Sequence, residues 1–272
     1  MIDRFIRRMA PVAALALGTA LGGCSTDVKI DGTDGVPLSD LDMDGAAPTE
    51  VVLASGDRVV LREGSALSIT VDGDPDETDK LRFALDDETL GIMRENDSWG
   101  SGSSVTVNIT MPPPEEIVVA GSGSILAQSL AKDAELTIGG SGDIAVETIA
   151  ADSLEINIGG SGSIKGSGQA SKLEINIGGA GDVDLAGLKA DDAEITIGGA
   201  GDVAFASDGT VEADIAGSGD VRVTGSAKCE VNAIGSGKLT CSPAPSGDGE
   251  PGPAAGAAAA LESPAEGEAG EA

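Results

Sequence analysis

The sequence predicts an all-β protein, a right-handed parallel β-helix (β-solenoid) with coils of 18–20 residues. Three observations carry this expectation. The tripeptide Gly-(Ser/Ala)-Gly begins at Gly121, Gly140, Gly160, Gly179, Gly199, Gly217 and Gly235, at intervals of 19, 20, 19, 20, 18 and 18 residues. A fixed period near 20 marks a stacked repeat. Aliphatic residues alternate on both sides of every tripeptide. Aromatics are nearly absent, with no Tyr, one Trp and three Phe against 41 Gly. A core without large rings has to be assembled from thin, regular layers of Ile, Leu, Val and Ala.

In chain order, residues 1–23 read as a lipoprotein signal peptide. Arg4, Arg7 and Arg8 form a basic start, and an apolar run from Met9 to Leu21 follows, broken only by Pro11, Gly18 and Thr19. The run is shorter than the roughly 20 residues that span a bilayer and suits a signal-peptide core. It ends in Leu21-Gly22-Gly23-Cys24, which resembles the lipobox of bacterial lipoproteins and makes Cys24 the expected site of lipidation. Ser25 and Thr26 follow, with no Asp directly after the cysteine; by the same resemblance this favours the outer membrane over the inner one. Residues 24–36 are polar and rich in Gly and Asp, as a tether is. The folded part, 37–241, opens with short period-2 runs such as Val51/Leu53, Val59/Leu61, Leu81/Phe83 and Val105/Val107/Ile109. Each is bounded by turn residues and so reads as a strand. Pro112, Pro113 and Pro114 cannot donate to a ladder and mark a transition.

The regular repeats occupy 115–241. Counted from the first glycine of each tripeptide, position −4 is Ile117, Leu136, Ile156, Ile175, Ile195, Ala213 and Val231, and position +4 is Ile125, Ile144, Ile164, Val183, Val203, Val221 and Leu239. Two strands per coil therefore point alternate residues inward, with a glycine bend between them. Equivalent residues stack at about 4.8 Å. The glycines are expected to allow φ > 0 and close backbone approach at the bend. Leu130, Ile149 and Leu188 supply a weaker third side. Parallel crossovers are almost always right-handed. Residues 242–272 hold Pro, Ala, Gly and Glu with Leu261 as the one large apolar residue, a composition expected to stay disordered.

This layout resembles the "putative auto-transporter adhesin head domain" family, the head GIN domain, from about Pro37 to Cys241. The segments that carry the resemblance are Val51 to Val71, Val105 to Ile109 leading into Ile117-Val118-Val119-Ala120-Gly121-Ser122-Gly123, and the repeated Gly-Ser-Gly-Asp turns. The resemblance implies a secreted or lipid-anchored protein with a right-handed β-helix and no assigned catalytic residues.

The formal charge of −30 excludes nucleic acid as a natural partner, since phosphate binding needs clustered Lys and Arg. Catalysis finds no footing: there is no His, and no Ser, Cys or Lys sits in a nucleophile motif. Two metal-loop readings fail. In Gly139-Gly140-Ser141-Gly142-Asp143 the aspartate falls one position early for a Ca²⁺ nonapeptide, and Asp182, Asp202 and Asp220 repeat the mismatch. These aspartates are read as acceptors for turn N–H groups. Asp40 to Gly45 opens like an EF-hand loop, but its twelfth position is Val51 where a Glu is required. More distinctive is position −5, an outward column of Glu135, Glu155, Glu174, Glu194, Glu212 and Glu230, flanked at −3 by Thr137, Asn157, Asn176, Thr196, Asp214 and Asn232. A solvated face is the plain reading; weak Ca²⁺ binding is the functional one. With Cys24 lipidated, Cys229 and Cys241 remain as an even pair in an oxidising compartment and a candidate disulfide. The expected function is a non-catalytic cell-envelope lipoprotein, held to the membrane by its lipid. Its β-helical surface would serve adhesion or contact with an envelope or extracellular protein or glycan. The alternative is a glycan-binding or glycan-active β-helix protein.

Overall fold

The computed structural model describes residues 29–30, 33–95 and 105–243. Cys24, the signal segment and most of the acidic tail lie outside the described residues. Short pieces come first: β1 (Lys29–Ile30) pairs antiparallel with β2 (Thr33–Asp34), and a 3₁₀ turn spans Leu38–Asp40. Then follow β3 (Glu50–Ala54), β4 (Arg58–Glu63), β5 (Ser68–Asp72), a one-turn helix α1 (Pro75–Thr78), β6 (Leu81–Leu85), β7 (Thr89–Arg94), β8 (Thr106–Met111), β9 (Glu116–Val119) and β10 (Ser124–Ser129). The repeats continue as β11 (Asp133–Ile138), β12 (Asp143–Ile158), β13 (Ser163–Ile177), β14 (Asp182–Ile197), β15 (Val203–Gly217), β16 (Asp220–Thr224), β17 (Lys228–Gly235) and β18 (Lys238–Ser242).

These strands wind into a parallel β-solenoid. One face, ending in β17, stacks Leu90, Val51, Ile117, Leu136, Ile156, Ile175, Ile195, Ala213 and Val231 in register. The facing sheet, ending in β18, stacks Val107, Val59, Ile125, Ile144, Ile164, Val183, Val203, Val221 and Leu239. All but the last of each column are buried in one continuous core. Each such aliphatic side chain contributes about 1.5–3 kcal/mol by leaving water. Leu130, Ile149 and Leu188 are buried on the third side, as their spacing predicts. Register shifts between Val146 and Ile149, Lys165 and Ser167, and Leu185 and Lys189 sit at the corner before that side. A further shift between Ala190 and Asp192 sits at the corner after it; the unequal coil lengths are absorbed at these corners, so the two main faces stay in register.

Two rungs precede the seven read from the tripeptides, and they are threaded out of chain order. The rung β3/β4 lies between the later rungs β7/β8 and β9/β10. After β4 the chain leaves the stack, lays β5 antiparallel on β8 and β6 antiparallel on β7, and so closes the N-terminal end. The run Pro112 to Pro114 then carries the chain past β3/β4 to β9; Ala131 N–H donates to the Pro114 carbonyl and Glu115 N–H to that of Thr49. No antiparallel strand covers β17 or β18 among the described residues, which pair only with β15 and β16.

The bend glycines are required for closeness more than for left-handed backbone. A Cβ on Gly160 would stand 1.9 Å from the carbonyl oxygen of Gly140, and one on Gly199 1.9 Å from that of Gly179. Of the seven first glycines only Gly217 and Gly235 have positive φ.

Candidate functional site

The outward side of the β3–β17 face carries the most regular chemistry in the molecule. Because side chains alternate along a strand, the residues between the buried Ile and Leu columns share one surface. The carboxylate column is longer than the six glutamates of the repeats. Glu50 pairs with Glu116 and Glu116 with Glu135, and the column runs on through Glu155, Glu174, Glu194 and Glu212 to Glu230. Thr89 closes its upper end by donating its hydroxyl to Glu50 Oε2 at 2.7 Å. Glu116 sits five residues before Gly121, and Glu50-Val51-Val52-Leu53 echoes Glu116-Ile117-Val118-Val119. That echo is the signal that could have found both.

The −3 column answers the glutamates. Asn157 Nδ2 donates to Glu135 Oε1 and Glu155 Oε1, both at 3.0 Å. Thr137 Oγ1 donates to Glu135 at 3.2 Å, Asn176 Nδ2 to Asn157 Oδ1 at 3.2 Å, and Lys172 Nζ to Glu174 at 3.1 Å. In this arrangement Asn157 and Thr137 act as donors to carboxylates rather than as spare oxygen ligands. The column is half-buried down to Glu174 and exposed from Glu194 on. Over its exposed part lies a shallow depression of about 310 Å³, lined by Lys172, Asp192, Ala193, Glu194, Thr210 and Glu212. No group of three or more His, Cys, Asp or Glu among the described residues is gathered closely enough to hold a metal.

The turn aspartates work along the stack. Asp182 Oδ1 accepts from Asp202 N–H at 3.2 Å, and Asp202 Oδ1 from Asp220 N–H at 2.9 Å. Asp143 accepts from the Ser163 hydroxyl one coil on. The loop with Asp40, Asp42 and Asp44 is exposed, and Asp42 caps the Asp44 N–H at 3.0 Å. Cys229 and Cys241 are joined by a disulfide with Cα atoms 6.8 Å apart, well inside the roughly 10 Å usual between facing sheets.

A family model described as "Putative auto-transporter adhesin, head GIN domain" matches residues 47–227. The chain belongs to this family. The matched span takes in every rung of the solenoid above β17. Solved structures share the fold at low sequence identity. A "putative adhesin" from Bacteroides fragilis is 18% identical with a TM-score of 0.64, covering 72% of this chain and 92% of that one. A "putative lipid binding protein" from Parabacteroides distasonis is 20% identical with a TM-score of 0.56, covering 72% and 93%. A "putative adhesin" from Parabacteroides merdae is 16% identical with a TM-score of 0.53, covering 73% and 92%. No curated protein matches the chain significantly. By its family description the chain is adhesin-like. No helix among the described residues is long and apolar enough to cross a membrane.

The head GIN domain also buries one ion network that the sequence did not disclose. Asp57 and Arg94 are 37 residues apart and carry no motif. Arg94 Nε and Nη2 donate to the two oxygens of Asp57 at 2.7 and 2.6 Å, and Nη1 to Glu77 at 2.6 Å. Asp57 also accepts from Ser55 Oγ at 2.8 Å and Val105 N–H at 3.1 Å. Burial works against its charge, but Arg94 and these donors outweigh burial and hold the carboxyl below its ordinary value. Asp57 is 1% exposed and Arg94 9%. The network ties the rung strand β7 and the helix α1 to the turn that leads into β4.

Proposed function

We propose that this head GIN domain protein is an exported lipoprotein, anchored at Cys24, that displays a non-catalytic β-solenoid surface for adhesion or envelope contact. The reading rests on one observation above the others. The glutamate column runs through successive rungs from Glu50 to Glu230 without a break in register. A catalytic β-solenoid needs a rung that departs from the repeat to collect reacting groups, whereas an even, charged, hydrogen-bonded face suits a broad contact surface. The arginines before the apolar run and Leu21-Gly22-Gly23-Cys24 support the anchor.

Mass spectrometry of the mature N-terminus tests the anchor: diacylglycerol on Cys24 is expected, and a soluble product starting elsewhere would refute it. Protease shaving of intact cells then tests display. Loss of the head places it on the outer surface and supports adhesion. Full protection, followed by digestion after outer-membrane permeabilisation, places it in the periplasm and leaves envelope contact as the role. A second reading, glycan binding, is favoured by the depression over Glu194 and Glu212, where Lys172, Thr210 and carboxylates would meet a polyhydroxyl ligand. A glycan array separates the two, since binding that survives Glu194→Gln and Thr210→Ala would exclude that depression.

A further inference from the structure

The two ends of the solenoid are finished differently. At the N-terminal end β5, α1 and β6 close the stack. At the other end β17 and β18 have no strand on their outer side among the described residues. The inward column ends there with Val231 half-exposed at 51%, and Ile234 is 74% exposed. Ile234 occupies a column filled in the coils above it by Ala120, Gly139, Gly159, Gly178, Gly198 and Ala216, and within the seven tripeptide coils a large apolar residue appears in it at this rung alone. Among the described residues only Met43 joins these two as an exposed large hydrophobic.

Charge changes at the same rung. In the preceding rung Asp208, Glu212, Asp214 and Asp220 face a single Arg222, whereas the last rung carries Lys228 and Lys238 against one Glu230. Lys238 Nζ lies 3.3 Å from Asp220, and Arg222 Nη1 and Nη2 lie 3.6 and 3.5 Å from Asp202 and Asp220. In a chain of net charge −30, two copies repel over most of their surface. This end is where the repulsion is locally cancelled and where apolar side chains and strand edges are open together.

We propose that two copies join end to end through this rung, so that β17 pairs antiparallel with its own copy and β18 does the same. A twofold axis crossing both sheets reverses strand direction and keeps inward residues inward. With Val231 opposite Val231 of the second copy, Cys229 meets Ala233, Glu230 meets Asn232 and Lys228 meets Ile234. With Thr240 opposite Thr240, Leu239 meets Cys241 and Lys238 meets Ser242. No like charges stand directly opposite, which is the condition for stable cross-strand pairing. The Lys228 stem covers Ile234 while its ammonium stays in water. Edge strands left open in this way are the usual route to chain–chain pairing. The disulfide between Cys229 and Cys241 fixes the rung that meets the second copy.

The test is sedimentation velocity of the full chain, with photo-crosslinking from p-benzoylphenylalanine placed at Thr240 or, as control, at Lys165, deeper in the same column. The proposal expects a dimer, a self-crosslink from position 240 and none from 165. It also expects Ile234→Lys to weaken association about tenfold or more with an unchanged circular dichroism spectrum. A monomer that dimerises only after removal of residues 244–272 would show that the chain's own acidic tail takes the site, and would overturn the proposal. A monomer with or without the tail, or crosslinks from 165 equal to those from 240, would overturn it as well.

Discussion

Gly159 and Gly160 are neighbours in sequence and opposites in space. A Cβ on Gly159 would meet nothing nearer than the Ile138 carbonyl oxygen at 3.9 Å, whereas one on Gly160 would sit 1.9 Å from the carbonyl oxygen of Gly140. The obstacle is backbone of the adjoining coil, held by a ladder on both faces, so it has nowhere to move. Gly160→Ala is therefore expected to cost about 3 kcal/mol or more, and Gly159→Ala to change the urea midpoint little; equal effects would show that the coils separate freely at the bend. Arg94 makes the second residue-level case. Arg94→Met leaves Asp57 buried and unpaired, which costs about 3–5 kcal/mol. Because the folded Asp57 carboxyl titrates below its unfolded value, the clamp's contribution is complete above the unfolded value near pH 4 and is lost as pH falls further. Acid titration of wild type and Arg94→Met should therefore show the two stabilities converging below about pH 4. A gap that persists at lower pH would mean the clamp acts by packing alone. Neither Asp57 nor Arg94 was legible in the sequence, because a pair made by folding between strands has no spacing to recognise. The glycines were legible as a period, and of the two purposes expected of them the close backbone approach holds at every bend, to a carbonyl one coil away, whereas positive φ holds only at Gly217 and Gly235.

At the scale of elements, the glutamate column and the terminal rung lead to different expectations. Carboxylates one strand apart repel by about 0.9 kcal/mol in bulk water before screening. Asn157 relieves one such pair by donating to Glu135 and Glu155 together, whereas Thr196 and Asp214 flank the exposed glutamates lower down. Weak Ca²⁺ binding is expected there, with a rise in melting temperature of about 2–4 °C for each kcal/mol gained. The variant Glu194→Gln, Glu212→Gln, Glu230→Gln should be more stable than wild type without metal and should lose most of the Ca²⁺ response. An unchanged wild-type melting curve in millimolar Ca²⁺ at fixed ionic strength would reduce the column to a solvated face. For the disulfide, a closed loop as short as the 12-residue separation of Cys229 and Cys241 contributes about 3 kcal/mol or less. Cys229→Ser with Cys241→Ser should loosen β17 and β18 and leave the inner rungs intact. The seven tripeptide coils were legible because every level of the pattern agrees: period, alternation and turn residues. The segments β3/β4 and β7/β8 were legible as strands but not as rungs, since they lack the tripeptide and pair with segments far along the chain.

The whole molecule is a stack in which each rung touches only its neighbours, so stability is distributed along one dimension. Native-state hydrogen exchange should show the strongest protection in β12, β13 and β14 and the weakest in β17 and β18, and the double serine variant should lower protection only near that end. Uniform exchange across all rungs would mean the stack opens as one unit. The out-of-order threading of β3 also bears on tension, which matters for the N-terminal anchor proposed above. A pull from that side first meets the β1/β2 pair and the bridge between Val36 and Phe83, then reaches β3. That strand is bonded to β7 on one side and β9 on the other through five and four register pairs. Freeing it requires many bonds to slide at once, against load directed along the strand. A pull on the other terminus meets β18, which among the described residues pairs only with β16 and is tied through Cys241 to Cys229 of β17, so that load passes through the disulfide to a rung held along one edge. The same fold is thus a shear clasp at its N-terminal end and is secured by one edge and one disulfide at the other, and resistance to force is concentrated in the rung that the chain lays down first.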